Sequence, residues 1–429
     1  MEIIYSDNKR EFEFLDEMKK RAGEISLSTN EAVLKIIDEV REKGDEAVRS
    51  FCMKFDGACP DRFEVTREEM KQAYESADPS LKKALERAKK NITAYHEKQV
   101  RQGYEIKKEK GVVLGQTVRG LSRVGIYVPG GTAAYPSTVL MNAVPAKLAG
   151  VGEIIMVTPK SNPDILAAAY LAGVDRVFLA GGAQAVAALT YGTETFPAVD
   201  KIVGPGNIFV ATAKKLLFGQ VDIDMIAGPS EILVLADEAA NPAYVAADLM
   251  SQAEHDPMAS AVLLTTSRKV AEDTLKEIEI QMEGLSRKET IERSLAGFGA
   301  VIICKDEEEM VRLADAIAPE HLELMVKEPM RLLPRIKNAG SVFCGEYAPE
   351  PLGDYMSGTN HVLPTSGTAR FSSPLGVDSF VKKMSYTFYT REALAEDQED
   401  IITIAEKEGL SAHANSIKIR FERFDKDGL

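Results

Sequence analysis

Five histidines occur in this 429-residue chain, and four of them sit in segments crowded with other polar groups. These are Ser251-Gln252-Ala253-Glu254-His255-Asp256, Pro319-Glu320-His321, Gly358-Thr359-Asn360-His361 and Ser411-Ala412-His413. The fifth, His96, lies in a lysine- and glutamate-rich helical stretch and reads as a surface residue. Imidazole is the commonest metal ligand and the usual proton carrier near neutral pH. Gln252 and His255 stand three apart, so they share one face if the last turn of their segment stays helical. An amide oxygen and an imidazole nitrogen on one face make half of a divalent-metal site. Glu320-His321 offers a carboxylate and an imidazole side by side, and both reach one pocket only from an irregular or terminal turn. Pro319 suggests a helix start, whose positive end would favour a neutral His321 able to act as a base and an ionised Glu320. The run from Gly353 to His361, with two glycines and many polar groups, reads as a loop. In it Asp354 is a hard oxygen ligand, while Asn360 and His361 have the plainer role of bracing the loop.

Nucleotide binding has a weaker signature. No GxGxxG follows a strand, so the usual dinucleotide fingerprint is absent. Three glycine-bearing turns stand in its place: Pro129-Gly130-Gly131, Gly181-Gly182-Ala183-Gln184 and Gly204-Pro205-Gly206-Asn207. Each precedes a helical stretch, where open backbone amides suit phosphate. Taken alone, a tight strand-to-helix turn explains each of them as well.

The elements that must position these groups change in texture along the chain. Up to about residue 110 the sequence is charged and helical. Val33, Ile36, Ile37 and Val40 repeat at helical spacing after the capping-box form Ser28-Thr29-Asn30-Glu31, and Asp78-Pro79 opens a second long helix. From residue 111 short apolar runs alternate with helices: 124–128, 153–158, 176–180, 201–203, 232–235, 261–265, 301–304 and 341–343. That alternation predicts an α/β fold with parallel sheets covered on both faces, and there are strands enough for two sheets. Asn241-Pro242 is a helix start, carrying the chain to Gln252. Past residue 377 the chain becomes charged and helical again.

Composition narrows the class. A formal charge of −14 and a pI near 5.1 argue against a nucleic-acid partner, which needs a basic footprint. The four cysteines form no CxxC pair and read as reduced thiols of a cytoplasmic protein. The charged amino terminus lacks the apolar core of a signal peptide. The uncharged stretch 124–146 holds Pro129, Pro136 and Pro145, so it reads as strand, loop and buried helix, and no membrane partner is expected.

Eight motifs in order then carry a resemblance. Tyr127-Val-Pro-Gly-Gly131, Gly181-Gly-Ala-Gln184, Val203-Gly-Pro-Gly-Asn207, Ala227-Gly-Pro-Ser-Glu231 and Ser251-Gln-Ala-Glu-His255 come first. Ala318-Pro-Glu-His-Leu322, Gly353-Asp-Tyr355 with Gly358-Thr-Asn-His361, and Glu408-Gly-Leu-Ser-Ala-His413 follow. Together they resemble the histidinol dehydrogenase family over essentially the whole chain. Ile226 stands before Ala-Gly-Pro-Ser where that family's pattern leads one to expect proline, a departure that touches no ligand. The resemblance implies oxidation of L-histidinol to L-histidine through the aldehyde, with two NAD and one zinc ion per subunit. By matching position it implies Gln252, His255, Asp354 and His413 as zinc ligands, with His413 supplied by the neighbouring subunit of a homodimer. Glu320 and His321 resemble the acid–base pair; Ser230, His361 and Glu408 match substrate positions, and Tyr127, Gln184 and Asn207 match the NAD site.

The implied fold has two incomplete, atypical Rossmann-like domains and helical arms from both chain ends, intertwined in the dimer. Its expected divisions are an arm at 1–21, a large domain of 22–126 with 233–376 carrying most catalytic groups, an NAD-side domain at 127–232 and a carboxy-terminal arm at 377–429. Two other readings of the residues are a zinc hydrolase in which Glu320 activates water without NAD, and a non-enzymatic metal-binding protein. The lack of a HExxH-type motif counts against the former, and retention of Glu320-His321 beside the glycine turns counts against the latter.

Overall fold

The computed structural model describes residues 1–23, 27–130 and 135–422. Gly131 of the first glycine turn lies outside the described residues. The chain forms two compact units, one of Met1–Val100 with Gly120–Phe380, the other of Arg101–Arg119 with the residues from Val381 onward. The described strands are β1 Glu2–Tyr5, β2 Glu64–Val65, β3 Tyr104–Lys107, β4 Val113–Gly120, β5 Arg123–Tyr127, β6 Glu153–Thr158, β7 Arg176–Leu179 and β8 Lys201–Val203. They continue as β9 Asp222–Ile223, β10 Glu231–Ala236, β11 Ser260–Thr265, β12 Gly299–Ile303, β13 His321–Met325, β14 Ser341–Cys344 and β15 Val381–Phe388.

The first unit holds two six-stranded sheets, ordered β1-β12-β11-β10-β13-β14 and β2-β7-β6-β5-β8-β9. All pairings in the former are parallel, and in the latter only β2 runs antiparallel, against β7. The α/β class with two parallel sheets is therefore as the alternation of elements foretells. Period-2 geometry sends successive side chains to opposite faces, so a strand buried on both faces reads as a continuous apolar run. In β6, Ile154 and Met156 meet the helices Pro79–His96, Pro136–Leu148 and Pro163–Ala172. Ile155 and Val157 meet Leu27–Lys43, Asp45–Asp56, Gly182–Tyr191 and Ile208–Leu217 on the other side. In β10, Leu233 and Leu235 face the helices Arg10–Gly23 and Glu307–Ile317, while Ile232 and Val234 face Pro242–Ala253, Arg268–Met282 and Lys288–Phe298. Each such aliphatic side chain contributes about 1.5 to 3 kcal/mol on burial.

The grouping of helices differs from the one drawn on sequence. Residues 27–99 supply helices to the β5-centred sheet, whereas 22–126 was expected to join 233–376. The chain also opens with a strand, β1, paired to β12, where a helical arm was expected. An amphipathic helix advertises that it has a buried face but not which sheet will cover it, so periodicity cannot settle the partner. His96 is a second difference: it is fully buried, with Nδ1 2.8 Å from Ile92 O. Leu85, Ala88, Ile92 and His96 form the buried side of their helix, and the lysines and glutamates occupy the other. Capping is largely as expected. Asp78 accepts from Ser80 N and Leu81 N, and Asn241 accepts from Ala243 N. Leu27 already lies in helix, which puts Ser28 inside the first turn rather than at the cap.

The second unit contains a sheet ordered β15-β4-β3 and the helices Arg391–Lys407 and Ser411–Glu422. The strand β15 interrupts the helical tail expected beyond residue 377; Met384, Tyr386 and Phe388 alternate along it at a strand's period of two. Among the described residues no helix is long and apolar enough to cross a membrane.

One glycine before the His361 segment is fixed by sterics. Gly358 has φ +98°, and a Cβ there would lie 2.5 Å from Asn91 O. Gly358→Ala should therefore destabilise the protein by about 1 to 3 kcal/mol, read as a lower urea midpoint with unchanged slope.

Candidate active site

Three of the four segments flagged by their histidines, those of His255, His321 and His361, converge on a cleft of about 510 Å³ in the first unit. Pro129, Gly204 and Asn207 reach it from the carboxyl ends of β5 and β8. Ser230, Glu320 and His321 come from the amino ends of β10 and β13, and Gln252 and His255 from the helix end that precedes β11. The cleft thus joins the carboxyl edge of one sheet to the amino edge of the other.

Gln252 lies in the last turn of Pro242–Ala253, and its buried Oε1 has no hydrogen-bond partner. His255 follows just past the helix end and is exposed. Its Nδ1 lies 3.0 Å from Ser251 O. A carbonyl only accepts, so Nδ1 carries the proton and Nε2 keeps its lone pair, the arrangement of a metal-ligating imidazole.

Glu320 and His321 do not start a helix. The preceding helix ends at Ile317, Ala318 turns the chain with φ 51°, and His321 begins β13. The backbone of one residue on the neighbouring strand grips both: Glu231 N donates to Glu320 Oε2 at 2.9 Å, and Glu231 O accepts from His321 Nδ1 at 3.0 Å. His321 Nε2 is buried with no hydrogen-bond partner, which leaves it an acceptor. Burial, not a helix dipole, sets their protonation. It lowers His321 below the ordinary histidine range, keeping the imidazole neutral, and raises Glu320 well above the usual carboxylate range. The helix start expected at Pro319 is thereby corrected: no helix dipole acts on Glu320, and desolvation outweighs the single amide that favours the charged form.

Asp354 belongs to the last turn of a short helix, Glu350–Tyr355, rather than to a loop. The same helix presents Glu350, which sequence reasoning missed. Glu350 is 2 % exposed, with Oε1 3.9 Å from His321 Nε2 and Oε2 3.1 Å from Ser251 Oγ. Burial, then the adjacent Glu350 carboxylate, pushes Asp354 up to about 8. His361 Nδ1 is 3.7 Å from Asp354 Oδ1, and burial pushes this imidazole down to about 4. Asn360 braces the segment, donating to Met141 O at 2.7 Å and accepting from Val362 N at 2.9 Å. The only hint of Glu350 in the letters is Pro349-Glu350-Pro351, an acidic residue pinned between prolines four positions before Asp354.

Ligand atoms of His321, Glu350 and Asp354 lie within 4.8 Å of one another. With the unpartnered amide oxygen of Gln252 and the free Nε2 of His255 in the same cleft, the donor set fits a divalent cation. Crowded carboxyls that must share protons are the groups such a charge would relieve. Glu408 and His413 belong to the second unit and are exposed there, at the junction of its two helices.

A neighbouring cavity of about 430 Å³ lies at the carboxyl ends of β5, β6, β7 and β8. Strand order reverses between β5 and β8, the position at which open α/β sheets hold ligands. All three glycine turns reach it, and Pro129 and Asn207 line both this cavity and the cleft. Tyr127 is buried, and its hydroxyl accepts from Gly182 N at 2.9 Å, so it shapes the second turn. Gln184 Oε1 is buried without a partner, and Asn207 caps the helix Ile208–Leu217 through Phe209 N and Val210 N.

An imidazole–carboxyl pair beside a cavity ringed by glycine turns defines an α/β enzyme of small-molecule chemistry. Residues 19–421 match the family model for histidinol dehydrogenase. The chain is 57% identical over 414 residues to the histidinol dehydrogenase of Clostridium acetobutylicum, covering 95% of this chain and 96% of that one. It is 53% identical over 426 residues to that of Bacillus cereus, covering 98% and 99%. The crystal structure of histidinol dehydrogenase from Elizabethkingia anophelis superimposes with a TM-score of 0.92 at 36% identity, covering 99% of both chains. The chain belongs to the histidinol dehydrogenase family and is an NAD-dependent oxidoreductase.

The electrostatics of the acid cluster can be tested directly. In protein stripped of divalent ions, Glu350→Gln removes the carboxyl facing Asp354, so Asp354 should titrate lower than in the parent. Carboxyl carbon NMR, with Asp354→Asn to assign the signal, reads the shift; an unchanged titration would mean burial alone holds Asp354 up.

Proposed function

We propose that this protein carries out the zinc-dependent, four-electron oxidation of L-histidinol to L-histidine through L-histidinaldehyde, with two NAD, as the final steps of histidine biosynthesis in the cytoplasm. The observation that carries the reading is the grip of the Glu231 backbone on Glu320 and His321, which leaves a neutral imidazole with a free Nε2 in a cleft of metal-type donors. Gln252, His255 and Asp354 hold the zinc, and His413 of the partner subunit completes the set. Exposure of His413 and Glu408 in the tail unit supports their availability to a second copy. When bound, zinc would supply a positive charge that anchors the substrate, and NAD would supply the hydride acceptor. Residues 127–232 form the Rossmann-like cofactor side through Tyr127, Gln184 and Asn207, and residues 233–376 carry the catalytic pair.

The chain's own groups move the protons. His321 Nε2 takes the hydroxyl proton as the first hydride leaves the carbinol carbon. Glu320 then takes a proton from the water that adds to the aldehyde, and the resulting hydrate loses the second hydride. A carboxyl whose pKa is raised is the stronger base once ionised, which suits Glu320 to that step. Ser230 and His361 line the cleft and hold the substrate, with Glu408 of the partner subunit closing it. Positioning of this kind supplies a large part of the catalysis, up to about 7 to 11 kcal/mol for ideal orientation.

Glu320→Gln and His321→Gln should each lower kcat by about 10²- to 10⁴-fold while histidinol binding, measured by calorimetry, is largely kept. Parent turnover in both would remove the assigned roles. The whole reading is tested by counting NADH formed per histidinol consumed, from absorbance near ~340 nm. Two per substrate, lost on chelation and restored by zinc, is the expected result. A ratio of zero, with chelator-sensitive cleavage of an ester or amide probe instead, would favour the zinc hydrolase.

A further inference from the structure

Asp56 ends the helix Asp45–Asp56 and lines the cofactor cavity together with Phe55, Pro159 and Phe209. Its Oδ2 is buried and has no hydrogen-bond partner. Burial raises this carboxyl, and the Lys160 ammonium nearby partly offsets that. A carboxylate oxygen kept from water and from donors is costly unless a ligand brings a donor to it. The nature of that ligand group follows from what surrounds it. Asp56 repels phosphate, and the glycine turns across the cavity provide the backbone that approaches phosphate. The rings of Phe55 and Phe209 and the prolines offer flat apolar faces to a base. What remains for a carboxylate between a base and a pyrophosphate is the sugar, whose vicinal hydroxyls donate two hydrogen bonds to one carboxyl group.

We propose that Asp56 is a specificity-determining residue that accepts hydrogen bonds from the adenosine ribose hydroxyls and so selects a dinucleotide with a free 2′-hydroxyl over one bearing a 2′-phosphate. The assignment rests on the reading of this cavity as the cofactor site. A 2′-phosphate brings about −1.5 to −2 charges against Asp56, and the single ammonium of Lys160 leaves the pair of anions uncompensated. In the absence of the usual glycine fingerprint and its acidic partner, a residue at the end of an earlier helix performs the same discrimination.

The test is ligand binding to the full-length protein, by calorimetry, with NAD, NADP, adenosine 5′-monophosphate and adenosine 2′-monophosphate as probes. The parent should bind NAD at least about a hundredfold tighter than NADP, two factors of ten at 1.4 kcal/mol each. Asp56→Ser should weaken NAD and 5′-monophosphate binding about tenfold or more, leave NADP no weaker, and leave histidinol binding unchanged. Asp56→Asn, of the same shape without the charge, should narrow the NAD-to-NADP ratio as well. An unchanged ratio in both folded variants, with NAD still bound, overturns the role of Asp56 alone. Failure of the parent to bind NAD overturns both this assignment and the cofactor reading of the cavity.

Discussion

The site depends on the parallel pairing of β10 with β13. Because β13 begins at His321 and runs in register with Ile232, the backbone of Glu231 sits where its N–H meets Glu320 and its carbonyl meets the imidazole. Two side chains that point apart on any regular element are thereby brought under one backbone unit. The tautomer of His321 follows from this contact, since a carbonyl can only accept and the lone pair must then lie on Nε2. Both strands are central in their sheet, so their register is held by apolar side chains on two faces: Leu233 and Leu322 in one core, Ile232 and Val234 in the other. A one-residue slip would exchange those faces and dissolve the grip along with the core.

Around this pair the protein buries an unusual concentration of acid. Glu320, Glu323 and Glu350 are each under 10 % exposed, and Asp248 is pushed up to about 6 by burial. Isolated ionised carboxylates do not survive such surroundings; they take up protons, share them or meet a cation. Structural hydrogen bonds absorb part of the group, since Glu323 Oε1 accepts from Glu350 N at 2.8 Å and so anchors the start of the short helix that presents Glu350 and Asp354. Glu320 and Glu350 face the cleft with His321 and Asp354, where a positive charge would stabilise them together. Stability sacrificed in burying acid is thus coupled to readiness for a cation.

Much of this was legible in the letters, and the gaps have physical causes. Buried parallel strands announce themselves as short apolar runs, and β5 to β8, β10 to β12 and β14 lie where those runs predict. Asn241 and Asp78 announce helix starts because their side chains satisfy free amides. β13 escaped notice because the alternation of His321, Glu323 and Met325 looks polar, though both polar residues are buried. Glu350 escaped because nothing local marks an acidic residue as buried; only the fold brings Ser251 and His321 against it. His96 was misjudged by weighing the composition of its helix over the phase of Leu85, Ala88 and Ile92. The segments of His255, His321 and His361 meet in one cleft, while that of His413 lies in the second unit; several polar groups that each have a plain local explanation are harder to explain together.

The cleft also shows how two similar sheets divide one task. Open parallel sheets hold ligands at their carboxyl edges, where strand order reverses. The β5-centred sheet follows that rule, with its glycine turns around the larger ligand's cavity. The β10-centred sheet does the opposite: its reactive groups stand at the amino edge, at Ser230, Glu320 and His321. Setting the carboxyl edge of one sheet against the amino edge of the other places turns built from backbone amides opposite side chains built for proton transfer. Neither sheet alone holds both, and Pro129 and Asn207, which line both cavities, mark the seam.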